Sequence, residues 1–223
     1  MERHHFEDEL QTLKNRLLTM GALVEDRVHQ AVTALVERRL EVCDTVIAGD
    51  REVNDLQIEL DDRCLKLLAL QQPMASDLRL ITAAMKINAD LERIGDQAVN
   101  IAQNALRILR QPPLRPLLDI PRMADLAEAM TRDSLDAFVR KDPLLARAVL
   151  ARDDEVDGLK DQVFRVLLTH MMADPGTIER ALSLILVSRN LERIADHATN
   201  IAEDVIFLVE AREVRHHYEA QDR

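Results

Sequence analysis

The stretch Asp90-Leu-Glu-Arg-Ile-Gly-Asp-Gln-Ala-Val-Asn-Ile-Ala102 returns one hundred residues later as Asn190-Leu-Glu-Arg-Ile-Ala-Asp-His-Ala-Thr-Asn-Ile-Ala202. Nine residues are identical at fixed spacing, Leu-Glu-Arg-Ile-x-Asp-x-Ala-x-Asn-Ile-Ala, which marks an internal duplication. The repeat extends outward. Ala48-Gly-Asp-Arg-Glu-Val-Asn54 matches Ala151-Arg-Asp-Asp-Glu-Val-Asp157 at an offset of 103, and Ala34-Leu-Val36 matches Ala137-Phe-Val139 at the same offset.

Within each copy the apolar residues fall at helical spacing. Ile87, Leu91, Ile94, Ala98, Ile101, Ala105 and Ile108 form one seam, and Leu191, Ile194, Ala198, Ile201, Val205 and Leu208 form its counterpart. Leu10, Leu13, Leu17, Met20 and Val24 step by three and four along a first helix. It is expected to run to about Ala48, with Gly49 as a break and Asp50 as the N-cap of a second helix. That helix carries Val53, Leu56, Leu60, Cys64 and Leu67 and stops near Gln72-Pro73. Ser76 or Asp77 is expected to cap the third.

Pro112, Pro113, Pro116 and Pro121 mark a linker. The plan then repeats: a helix from about Arg122 with Pro143 near a turn or kink, a break near Arg152-Asp153, a helix to about Ala173, a turn at Asp174-Pro-Gly176, and a last long helix. The polar tail from Arg215 is expected to fray. The reading is all-α, two tandem antiparallel three-helix bundles at residues 1–111 and 122–223, joined by a linker at 112–121.

Composition agrees. Apolar residues make up 47% of the 223-residue chain and aromatics only 2%, so the core is aliphatic, and five glycines are too few for the turns of a β-fold. A net charge of −11 argues against nucleic acid as partner and favours cations or basic protein surfaces. No signal-peptide core or bilayer-length apolar run is present, the longest apolar stretch being Ala181–Ser188. Cys43 and Cys64 read as reduced, buried thiols.

The repeated motif also carries acids. Residues four apart share a helix face, so Glu92, Asp96 and Asn100 line one stripe, and Glu192, Asp196 and Asn200 line another. Both stripes lie nearly opposite the apolar seam, so they face solvent or a partner. Folding back at Pro73 sets Asn54 level with about residue 92, and the turn near Pro175 sets Asp157 level with about residue 193. Asp50 and Asn54 thus meet Glu92 and Asp96, while Asp153 and Asp157 meet Glu192 and Asp196. Crowded carboxylates repel unless a cation neutralises them, and an oxygen-only donor set suits Mg, Mn, Fe or Ca. The bland alternative is a solvated face, with Arg93 and Arg193 pairing to the acids. Retention of both acidic pairs in both halves favours a metal. Gly95 and Ala195 read as close helix approach, His197 as a dispensable helper in place of Gln97, and Met171-Met172 as core filler. No phosphate loop or nucleophile–base pair is present.

With Leu-Glu-Arg-Ile-Gly-Asp-x-x-x-Asn-Ile and Gln72-Pro-Met-Ala-Ser-Asp-Leu-Arg79, the chain resembles the PhoU family across essentially its whole length. The resemblance implies a cytoplasmic, often homodimeric, non-enzymatic regulator attached to phosphate-specific transport in bacteria. It further implies a role in restraining phosphate uptake and silencing the phosphate-starvation response. Its implied partners are the phosphate transporter's ATPase and a membrane sensor histidine kinase, reached from the membrane periphery and without nucleic acid. It also implies surface metal ions, divalent or trivalent (Fe, Mn, Mg or Zn), on Asp50, Asn54, Glu92, Asp96, Asp153, Asp157, Glu192 and Asp196. Asn54 stands where the pattern has an acid, so the second site is expected to bind more tightly. Asp77 and Arg79, present only in the first half, are candidates for partner contact, a helix cap and a solvated side chain being the alternatives. A di-metal carboxylate oxidase is disfavoured, because Glu-x-x-His occurs only at Glu2/His5 and Glu213/His216. A metal-free helical scaffold is the third reading.

Overall fold

A computed structural model describes residues 2–114, 119–212 and 214, with side chains from residue 5 onward. The elements are α1 (Glu2–Glu37), α2 (Leu40–Gln71), α3 (Ser76–Leu109), α4 (Ile120–Arg140), α5 (Pro143–Leu150), α6 (Asp153–Ala173) and α7 (Ile178–Glu210), with a 3-10 turn at Pro175–Thr177 before α7. Helices α1 to α3 form one antiparallel bundle, and α4, the α5–α6 pair and α7 form the second. The expected apolar seams are the core: Leu13, Leu17, Met20, Val24, Leu91, Ile94, Ala98, Leu191, Ile194 and Ala198 are all fully buried.

The two halves differ where a single helix was expected to break. Gly49 lies inside α2, which runs unbroken past Asp50, so Asp50 caps nothing. The first helix instead ends at Glu37, where Arg38 adopts φ 61. The Arg38 guanidinium compensates by donating to the carbonyls of Leu109 at 2.5 Å and Gln111 at 2.6 Å. In the second half the corresponding stretch does divide. Asp142 caps α5 by accepting from the amides of Leu144 and Leu145, with Pro143 at its first position, and a second break separates Leu150 from Asp153. Ser76 and Asp77 do not cap α3. Ala75, in a strained positive-φ conformation, holds that position, and no side chain accepts there.

The bundles pack through α3 against α7 most extensively, with α1 against α4 alongside. Gly21 lies under Leu135, where a Cβ would collide with Leu135 Cδ1, and Arg132 pairs with Glu25 across the same contact. The α3–α7 seam is polar along one edge. Lys86 Nζ lies 3.0 Å from Oδ1 of the buried Asp204 and 5.6 Å from the Phe207 ring centre. Asp90 Oδ1 meets His197 Nδ1 at 2.9 Å and accepts from Asn200 Nδ2 at 3.3 Å. Both cysteines are free and buried, and burial pushes their thiols up to about 11 for Cys43 and about 12 for Cys64, the range of inert structural thiols. Met172 is 79% exposed and is not core filler, while Met171 packs on the core.

Candidate functional site: two acidic clusters on the hairpins

Each hairpin sets its helices by contacts on the expected register. In the first, Asn88 Nδ2 on α3 donates to the Gln57 carbonyl at 3.0 Å and to Asp61 Oδ1 at 2.9 Å on α2. This levels Asn54 with the region of Glu92. In the second, Lys160 Nζ on α6 donates to Glu192 Oε1 on α7 at 3.0 Å.

The first cluster joins Asp50 and Asn54 of α2 to Glu92 and Asp96 of α3. Asn54 Nδ2 donates to Asp50 Oδ2 at 2.9 Å, one turn away. Burial raises the Glu92 carboxyl above its ordinary value, helped by Asp96 and Asp50 and opposed by Arg93 and His197. Burial and then Asp50 raise Asp96, again against Arg93. The charges therefore feel one another across the two helices.

The second cluster joins Asp153 and Asp157 of α6 to Glu192 and Asp196 of α7. Burial, followed by repulsion from Asp196, Asp157, Asp154 and Glu192, lifts Asp153 to about 6. Asp196 is raised by burial, then by Glu192 and Asp157, with His197 and Lys160 easing it. Lys160 sits between the carboxylates, 2.9 Å from Asp157 Oδ1 and 3.0 Å from Glu192 Oε1, and these hydrogen bonds raise its own pKa. Its counterpart at the 103 offset is Gln57. Four carboxylates with one ammonium, against three carboxylates with an amide, give both clusters the same formal charge of −3. Asp154, which also raises Asp153, stands where the first half has Arg51, so the surroundings of the second cluster are the more acidic.

The donor chemistry fits a hard cation, and the Lys160 ammonium already stands in for one between Asp157 and Glu192. The rotamers do not: among the described residues no three His, Cys, Asp or Glu side chains are converged to hold an ion. Binding would require the side chains to swing inward and Lys160 to withdraw. Arg93 and Arg193 make no ion pair among the described residues, although Arg93 eases Glu92 and Asp96 from a distance; the ion pairs of the second cluster are those of Lys160. Asn100 and Asn200 turn away from the acids. Asn200 reaches Asp90 across the seam, and Asn100 donates to Gln97 Oε1 at 3.5 Å.

Arg79 is not a freely solvated side chain: its Nε donates to the Leu208 carbonyl of α7 at 3.4 Å, and Asp77 is half-buried beside it. Sequence reasoning misses Lys86, Asp90 and Asp204. Their signal lies in where the copies differ: at the 100 offset Lys86 corresponds to Leu186, Asp90 to Asn190, Gln97 to His197 and Asn104 to Asp204. Lys86, Asp90 and His197 line an open cavity of about 540 Å³ with Arg93 and Glu203.

A family model described as the PhoU domain matches residues 17–105 and 120–205, one match in each half. The chain belongs to the PhoU family. A phosphate-specific transport system accessory protein PhoU homolog from Pseudomonas putida is 43% identical over 96% of this chain and 85% of that protein. One from Aquifex aeolicus is 41% identical over 94% of this chain and 95% of its own length. Among solved structures, PhoU from Pseudomonas aeruginosa superposes with a TM-score of 0.89 at 39% identity, covering 93% of this chain and all of the other. The phosphate transport system regulatory protein PhoU from Streptococcus pneumoniae gives 0.86 at 28% identity, covering 94% of this chain and 99% of the other. The match thus spans both PhoU repeats and both acidic clusters. Among the described residues no helix is long and apolar enough to cross a membrane.

Proposed function

We propose that this chain is a non-enzymatic regulator of bacterial phosphate transport that holds down phosphate uptake and the phosphate-starvation response when phosphate is plentiful. The observation that carries this reading is the near-full-length likeness to accessory proteins of phosphate-specific transport systems, through both repeats. In this reading the chain works in the cytoplasm, as a homodimer, at the membrane periphery. It binds the transporter's ATPase and a sensor histidine kinase. Deleting the gene in a strain carrying a reporter of phosphate-starvation genes tests it. Reporter activity in high phosphate is expected, and continued silence contradicts the reading.

We also propose that Asp50, Asn54, Glu92 and Asp96, and separately Asp153, Asp157, Glu192 and Asp196, hold a divalent or trivalent metal ion such as Fe, Mn, Mg or Zn. The mutual elevation of Glu92, Asp96, Asp153 and Asp196 supports it, because a cation relieves that repulsion. The bound ion would supply a fixed positive charge at the hairpin surface. Metal analysis after reconstitution should find less metal in Asp157→Ala/Glu192→Ala than in wild type, and equal, negligible metal in both would end the metal reading. Both clusters lie on outer hairpin faces, which favours a regulatory ion over a di-metal oxidase.

A further inference from the structure

We propose that the outer face of the α6–α7 hairpin is a docking groove for a basic amphipathic helix of a partner protein. Phe164, Leu168 and Met172 stand at successive i, i+4 positions of α6, and Ile178 and Leu182 do the same on α7. All five are between 42% and 79% exposed. The helices are antiparallel, and the Lys160–Glu192 contact fixes their register, which brings Leu168 level with about residue 184. The five side chains therefore share one strip at the hairpin tip, extended inward by the half-buried Ile185.

The duplication supplies an internal control. At the equivalent places the first hairpin has Asp61, Leu65 and Ala69 on α2, and Leu78 and Thr82 on α3. Leu65 and Leu78 are retained as apolar and exposed, and Leu70 and Met74 are exposed at the first tip at other positions, but on the equivalent strip Phe164, Met172 and Leu182 replace an acid, an alanine and a threonine. The same hairpin architecture folds without them. Large exposed side chains that the fold does not need mark a surface for association.

The occupant follows from charge. Down the same face, Lys160 lies one turn from Phe164; Asp157 and Glu192 bind its ammonium, and Asp153 and Asp196 complete the acidic cluster beside them. From Leu168 to Asp157 is eleven residues, roughly 16 Å at 1.5 Å per residue. A complementary helix presents apolar side chains at i, i+4 and i+7 to the tip, and lysines or arginines two to three turns further on. This inference extends the regulator reading by naming the partner surface, and its test does not use a phosphate readout.

The test uses purified full-length chain in chelator, with fluorescence anisotropy of two labelled synthetic peptides. One carries leucine and lysine in an amphipathic helical pattern, and the other has glutamate in place of lysine. The triple variant Phe164→Asp/Met172→Ala/Leu182→Thr carries the first hairpin's residue types, so it is expected to fold, which circular dichroism checks. Leu144→Asp, at a 75% exposed leucine elsewhere, is the control. The expected result is binding of the leucine–lysine peptide by wild type and Leu144→Asp, weakened about tenfold or more in the triple variant, with the leucine–glutamate peptide bound far more weakly. Equal binding by the triple variant overturns the proposal, as does equal binding of the glutamate peptide. Sedimentation showing a wild-type dimer that the triple variant dissociates also overturns it, because a second copy is then the occupant. A silent deletion reporter with the expected peptide result would refute the regulator reading and leave the groove standing.

Discussion

The Lys160 ammonium on α6 lies 3.0 Å from the Glu192 carboxylate on α7, inside the group of acids expected to take a metal. It also contacts Asp157 at 2.9 Å, so a cation entering this cluster competes with a tethered one. Lys160→Gln gives the second cluster the neutral residue that Gln57 supplies in the first. The variant should bind Mn²⁺ about tenfold or more tightly at the second cluster, as measured by isothermal titration with wild type alongside. Unchanged affinity would show that Lys160 does not occupy the ion's place.

The raised carboxyls set a pH dependence. Asp153 titrates at about 6 in the folded chain and near its ordinary value when unfolded, so the folded state binds more protons between those values. The stability it contributes is complete below the unfolded value and is lost as pH rises through about 6. Asp196, Glu92 and Asp96 act in the same direction. In chelator, Asp153→Asn should be more stable than wild type at pH 7 by about 1 kcal/mol, discounted for the half-exposed site, and equal to it near pH 4. Thermal melts at the two pH values check this, and an advantage that persists at pH 4 would point to a cause other than ionisation.

Helical periodicity finds the helical segments and nearly all of the core, because burial of an aliphatic stripe leaves a direct trace in spacing, but it sets the boundary between α1 and α2 about eleven residues too late. The acidic clusters are legible for the same reason: hairpin register follows from where the chain turns. Gly49 misleads because a glycine inside a long helix costs only about 1 kcal/mol against alanine, less than packing supplies. The helix end at Arg38 carries no glycine or proline, and its long-range hydrogen bonds to Leu109 and Gln111 are invisible locally. Lys160 escapes notice because it lies outside the repeated residues, and Met172 because adjacency to Met171 hides which of the two faces the core.

The Gly95 position tests the close-approach reading. A Cβ there would lie 3.2 Å from Val53 Cγ1 and 3.7 Å from Val24 Cγ1. In the second half the equivalent Ala195 is fully buried, with Val156 at the position equivalent to Val53 and Ala127 at that of Val24. Gly95→Ala gains about 1 kcal/mol of helix propensity and loses a similar amount to crowding, so urea unfolding should place it within about 1 kcal/mol of wild type. Gly95→Leu has no such space and should lose about 3 kcal/mol or more.

Lys86 and Asp204 join the bundles at a place where the duplicate positions hold Leu186 and Asn104. Asp204 is 1% exposed, so its charge depends on groups within the protein. Removing the ammonium alone takes one cation away from that buried carboxylate, at a cost of about 2 kcal/mol, below the fully buried range because the Lys86 side chain is itself 44% exposed. Replacing both members by the residue types of the other copy removes charge and desolvation together. Lys86→Leu should therefore destabilise the chain, while Lys86→Leu/Asp204→Asn recovers most of the loss, read as a coupling energy in a double-mutant cycle by urea unfolding. The physical reason is that a buried ion pair is costly to break and inexpensive to replace whole. Additive effects of the two substitutions would show that Asp204 is held by other groups and that the pair does not fasten α3 to α7.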